Sequence, residues 1–169
     1  MAKSLKLKSI LKLALLALTF TALVACGKKE EEKKVAAPTV VNVPDDSNDN
    51  QAWKLYLVNV AKKNMEGIRS SPYMYFLPAT ATPESEEYGR QLDNVVGVVG
   101  RGVLPGNMLA FGSPQSSTMA DLVVESFTDI SEGSMKDVRV LFVGNATDSE
   151  RVKTAIEPSG AIYVFHEAK

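Results

Sequence analysis

The run Val138 to Val143 is apolar at every position but Arg139, with no alternation between polar and apolar residues. A strand with one wet face alternates. An unbroken run suits a strand buried on both faces, as parallel strands covered by helices are. Parallel strands cannot be joined by a tight turn, because each needs a crossover of a dozen or more residues, usually a helix. The stretch from Val143 to Ala161 is long enough for one. It opens on Thr147-Asp148-Ser149-Glu150, the pattern of a capping box, in which a Thr hydroxyl takes the N3 amide and a Glu returns to the cap. Val152, Ala155 and Ile156 give it an apolar stripe, Pro158 stops it, and Ala161 to Phe165 reads as the next strand.

The same alternation extends upstream. Gln51 to Ile68 places Trp53, Leu57, Val60, Ala61, Met65 and Ile68 on one helical stripe, with Asp49 or Asn50 as its cap. Leu55, Tyr56 and Val58 also fit a strand. Tyr73 to Leu77, after Pro72, reads as a short buried strand. Thr82-Pro83-Glu84 has the form of an N-cap with proline at the first helical position. Tyr88, Leu92, Val95, Val96 and Val99 then keep helical spacing. Gly97 and Gly100 weaken that helix, so they are expected where its backbone presses on a sheet. Asn107 to Phe111 is the next strand, and Ser113-Pro114 is read as the cap and first residue of a helix reaching Phe127. The order αβαβαβαβ predicts an α/β fold, with a four-stranded, mostly parallel sheet flanked by helices. An α+β sheet with one antiparallel edge is the alternative.

The predicted domain is Gln51 to Lys169, and what precedes it has a different composition. Gly27 to Asn50 holds the mixed charge run Lys28 to Lys34, then Pro38, Pro44 and the polar cluster Asp45 to Asn50, with no apolar face to bury. Residues 26–50 are therefore expected to be a disordered linker. Met1 to Ala25 has the parts of a secretory signal: Lys3, Lys6, Lys8 and Lys12 without an acid, then the apolar stretch Leu13 to Ala25. Its thirteen residues fall short of the roughly 20 needed to cross a bilayer as a helix.

That stretch ends in Leu23-Val24-Ala25-Cys26, which resembles the lipobox of bacterial lipoproteins. The resemblance covers only the signal region. It implies a diacylglyceryl thioether on the Cys26 sulfur, cleavage before Cys26, and acylation of the new amino group. It also implies outer-membrane sorting, since Gly27 stands where Asp retains lipoproteins in the inner membrane of enteric bacteria. One acyl chain holds a protein only marginally, whereas two or three anchor it stably.

Charge and residue types narrow the chemistry. Of 19 basic residues, the signal removes four lysines, leaving 15 against 20 acids, a formal charge of about −5. That is no footprint for nucleic acid. Cys26 is the only cysteine and His166 the only histidine, so disulfides, thiol catalysis and most zinc sites are excluded from the expectation. No cofactor or metal is expected, and no catalytic constellation is read. Ser113 lacks a nucleophile-elbow motif, and a Ser113–His166 pair is not expected to act.

In parallel α/β sheets ligands gather at the carboxyl ends of strands. The candidate ligand-binding residues are therefore Ser113, Ser116, Ser117 and Thr118 after one strand and Asn145 and Thr147 after another. Their hydroxyls and free amides suit a phosphate or carboxylate, or else simply cap helices. Arg90 and Arg101 are candidates for a partner carboxylate or for local ion pairs. Trp53, Tyr56, Tyr73 and Tyr75 form either core or a contact patch. The expected function is that of a lipid-anchored, periplasm-facing outer-membrane protein. It would act as a non-enzymatic interaction module of an assembly, secretion or conjugation complex, partnered by an envelope protein. The alternative is small-ligand or anion binding by the strand-end loops.

Overall fold

The computed structural model describes residues 42–169. The signal Met1–Ala25, Cys26 and the first part of the linker lie outside the described residues. The elements are α1 (Asn50–Lys63), β1 (Tyr73–Phe76), α2 (Glu86–Gly100), β2 (Met108–Gly112), α3 (Ser116–Ser126), β3 (Arg139–Gly144), α4 (Ala146–Ile156), a 3₁₀ turn (Glu157–Ser159) and β4 (Ile162–Glu167). The sheet has the order β1-β2-β3-β4 and every neighbouring pair is parallel. The α/β architecture expected from the alternation is the one present, without an antiparallel edge.

Strand order dictates the layers. Three right-handed crossovers in the same direction leave all the connecting helices on one side of the sheet. Accordingly Val95 and Val99 of α2, Met119, Leu122 and Val123 of α3, and Val152 and Ile156 of α4 share one core with Tyr75, Leu109, Phe111, Val140 and Phe142. Among the described residues the opposite face is covered by one helix, α1, with Val43, Met65 and Ile68 packed beside it. There Trp53, Tyr56, Leu57, Val60 and Ala61 pack on Met108, Ala110, Leu141 and Val143. This two-sided cover is why β2 and nearly all of β3 are buried at successive positions rather than alternate ones. An aromatic row crosses the first core, with Tyr75, Phe111, Phe142 and Phe165 in register on successive strands. Tyr75 stacks on Phe111 at 4.9 Å between ring centroids, and Phe142 on Phe165 at 6.3 Å.

Arg139, the one charge in the apolar run, closes the other end of α1. Its guanidinium donates to the carbonyls of Asn64 and Glu66, just past the helix C-terminus, where a cation complements the dipole.

Several local expectations are corrected. The ordered domain starts ahead of Gln51, within the segment read as linker. Val43 packs on the α1 core, Trp53 Nε1 donates to the Asp46 carbonyl at 3.1 Å, and Asp49 caps α1 by accepting from Gln51 and Ala52. Polar composition hid a segment held by capping and one valine. The cap of α2 is Ser85, not Thr82. The Ser85 hydroxyl accepts from the Thr82 amide at 3.2 Å and the Tyr88 amide at 3.3 Å, so Pro83 lies in a turn before the helix. Gly97 and Gly100 do not press on the sheet. A Cβ at Gly97 would meet only the Arg101 guanidinium, 3.7 Å away, and one at Gly100 would meet nothing.

Candidate functional site at the strand ends

Strands β2 and β3 both end in glycine because something lies directly over each end. A Cβ on Gly112 would fall 2.8 Å from Leu57 Cδ1 on the α1 face. On Gly144 it would fall 2.5 Å from Ser116 Oγ and 2.8 Å from Phe142 Cζ. Ser116, in the first turn of α3, therefore seats its hydroxyl against the bare end of β3.

From there a polar chain runs outward. Ser116 Oγ donates to Asp148 Oδ2 at 2.6 Å and accepts from the Asn145 amide at 2.7 Å. Asp148 Oδ1 accepts from Arg151 Nε at 3.2 Å and from Nη2 at 2.9 Å. Arg151 also donates to the Ser117 carbonyl and pairs with Asp121 on α3. Burial opposes the Arg151 charge, but the hydrogen bonds to Asp121 and Asp148 outweigh it and hold the guanidinium pKa above its ordinary value. Ser116 and Asp148 are both buried. Such groups are costly when unpaired and rigidifying when paired. The network clasps α3 to the β3–α4 turn. Chemically it offers little: the Ser116 proton is committed to Asp148, and both carboxylate oxygens of Asp148 already accept hydrogen bonds, from Ser116 and Arg151.

The six predicted ligand-binding residues do come to this one rim, in different states. Ser116 is the centre of the clasp. Ser113 is buried, and its hydroxyl accepts from the Gln115 amide at 2.9 Å. That bond closes a turn around Pro114, so α3 starts at Ser116 with Gln115 as cap, not at Pro114 with Ser113 as cap. Ser117 is exposed and Thr118 half-buried. Asn145 is the cap of α4 and Thr147 an exposed second residue of that helix. The expected Thr147–Glu150 capping box therefore does not form: the helix begins earlier, and the first-turn acid, Asp148, is drawn to Ser116 and Arg151.

Among the described residues the rim has no topological switch point, where the crevice of α/β ligand sites opens. That crevice arises where adjacent strands send their connections to opposite faces. Here β1, β2 and β3 all lead to helices on the same face.

Sequence reasoning missed Asp148 as the partner of Ser116, and Arg151 and Asp121 as the next links of the chain. One signal was present. Ser116 and Asp148 each stand four residues after a strand-ending glycine, in Gly-Ser-Pro-Gln-Ser and Gly-Asn-Ala-Thr-Asp. Equivalent positions of neighbouring strand–turn–helix units lie side by side, which places these two in contact.

His166 lies away from the clasp, on the α1 face. Its Nε2 is 3.1 Å from the Tyr56 hydroxyl. Burial and the nearby Lys63 charge lower its pKa from the ordinary value. Arg90 pairs with Glu86 across one helical turn, and its side chain is 62% exposed. It lines a cleft of about 270 Å³ at the carboxyl end of β1, with Asn50, Lys54, Phe76, Leu77 and Gln91. Arg101 is exposed past the end of α2. Of the four aromatics, Trp53, Tyr56 and Tyr75 are core and only Tyr73 is exposed, so they do not form one patch. The buried Tyr75 hydroxyl has no partner among the described residues, and burial chiefly pushes its pKa up to about 12.

Among the described residues, no group of three or more His, Cys, Asp or Glu is placed to hold a metal ion, and no helix is long and apolar enough to cross a membrane. No protein-family model, curated protein or solved structure matches the chain.

Proposed function

We propose that this chain is a lipid-anchored protein of the bacterial outer membrane. Its folded domain faces the periplasm and serves as a non-enzymatic interaction module of an envelope complex for assembly, secretion or conjugation. The lipobox-like Leu23-Val24-Ala25-Cys26 after an apolar, lysine-led segment carries the reading. The domain adds support. The buried Ser116 hydroxyl and Asp148 carboxylate at its strand ends are spent on each other and on Arg151, which is the chemistry of a scaffold.

Fractionation with in-cell cross-linking tests it. The wild-type chain is expected in the outer-membrane fraction, cross-linked to an envelope protein, and Cys26→Ser is expected to leave that fraction. A Cys26→Ser chain that still fractionates with the outer membrane overturns the anchor. A wild-type chain that captures no envelope protein under several cross-linking chemistries overturns the module.

A further inference from the structure

The two edges of the sheet are built differently. Edge strands expose unpaired backbone groups, and proteins guard them with prolines, lysines, bulges or shortness. β1 is guarded: it has four residues and is flanked by Pro72 and Pro78. β4 has six residues, Ile-Tyr-Val-Phe-His-Glu, with no proline, lysine or glycine among them. Among the described residues it pairs only with β3.

Which amides face outward is fixed by two bonds. The Ile162 amide donates to Val138 and the Ala168 amide to Gly144, both toward the β3 side. Backbone groups alternate along a strand, so Tyr163, Phe165 and Glu167 turn theirs to the open side. Phe165 is also the last member of the aromatic row, and it is left half-buried where the row meets the edge.

We propose that β4 is a self-association edge, on which two copies of this chain pair antiparallel about a two-fold axis through Phe165 to form one continuous sheet. A two-fold perpendicular to the sheet keeps each face continuous, so residues of equal parity must meet. Centred on Phe165, this register sets Phe165 against Phe165, Tyr163 against Glu167, Val164 against His166 and Ile162 against Ala168. The three outward-facing residues of each copy exchange ladder bonds. The aromatic row of one copy runs into that of the other, and no like charges meet. Glu167 lies over Tyr163 and Lys169 over Ala161, so the charged end of each strand covers the neutral end of its mate. A second copy fits the edge for this reason. The inference does not rest on lipidation.

A cysteine at Phe165 reads the register directly. In a hydrogen-bonded antiparallel pair the Cα atoms are about 5.5 Å apart, inside the disulfide range. The chain carrying Phe165→Cys with Cys26→Ser, so that no second thiol is present, is expected to give a covalent dimer on mild oxidation after purification. Tyr73→Cys on the guarded edge, compared in the same background, is expected to stay monomeric. Adding Glu167→Pro to Phe165→Cys should cut the dimer several-fold without lowering the melting temperature, because the amide it removes faces away from β3. Should Phe165→Cys fold poorly, hydrogen exchange on the wild-type chain gives the same answer. The Tyr163, Phe165 and Glu167 amides are expected to exchange at least tenfold faster on dilution. The idea is overturned if those amides ignore dilution, if both cysteines cross-link alike, or if the proline leaves the dimer unchanged.

Discussion

Single residues at the strand ends decide whether the layers close. Gly144 is the tightest of them: no side chain fits between β3 and Ser116. Gly144→Ala must displace the Ser116 hydroxyl, and with it the bonds to Asp148 and the Asn145 amide. Overpacking alone costs about 1–3 kcal/mol, so a loss at the upper end of that range is expected in chemical denaturation. A variant as stable as wild type would show that the clasp contributes nothing. Ser116 was legible as a polar residue at a strand end. Its commitment was not, because the partner lies thirty-two positions on and is chosen by packing.

His166 adds a pH dependence at the same scale. Its ring is held more firmly neutral in the fold than in the unfolded chain, where it titrates near 6.5. The unfolded chain therefore takes up a proton first as pH falls. This site is neutral toward stability well above pH 6.5 and destabilising below it. Thermal melts of wild type against His166→Gln are expected to keep a constant difference above about pH 7.5. Below about pH 6.5 wild type should lose ground. A difference that does not change with pH would contradict the assignment.

At the scale of elements, apolar spacing identified the four strands and four α-helices of the described residues, with most ends within three residues and the end of α1 five residues earlier than the spacing suggested. Helix starts were the weak point, for one physical reason. Thr82, Ser113 and Thr147 each stand before an apolar stripe as a cap does, yet a local hydroxyl–amide turn or a tertiary bond set the true start. Proline misled in the same way, since Pro83 and Pro114 sit in turns before their helices rather than inside them. Glycine shows the converse. Gly89 lies within α2, and a Cβ there would meet nothing within 4 Å. Gly89→Ala is therefore expected to stabilise the domain by about 0.5–1 kcal/mol through helix propensity and a less flexible unfolded chain. Equilibrium denaturation checks this, and a loss of stability would mean that α2 is packed there after all.

For the molecule as a whole, the parallel sheet followed from a few residues, because an unbroken apolar run must be covered on both sides. The asymmetry of the layers, three helices against one, follows from strand order, which periodicity does not report. With every crossover on one face, the described sheet has no topological switch point. The described sheet has one guarded and one unguarded edge, and the chain ahead of it carries a lone cysteine. The proposed anchoring depends most on that cysteine. Metabolic labelling with palmitate tests it most directly: the wild-type chain should carry the label and Cys26→Ser should carry none. A wild-type chain that never takes the label, or a serine variant that still does, would contradict the account.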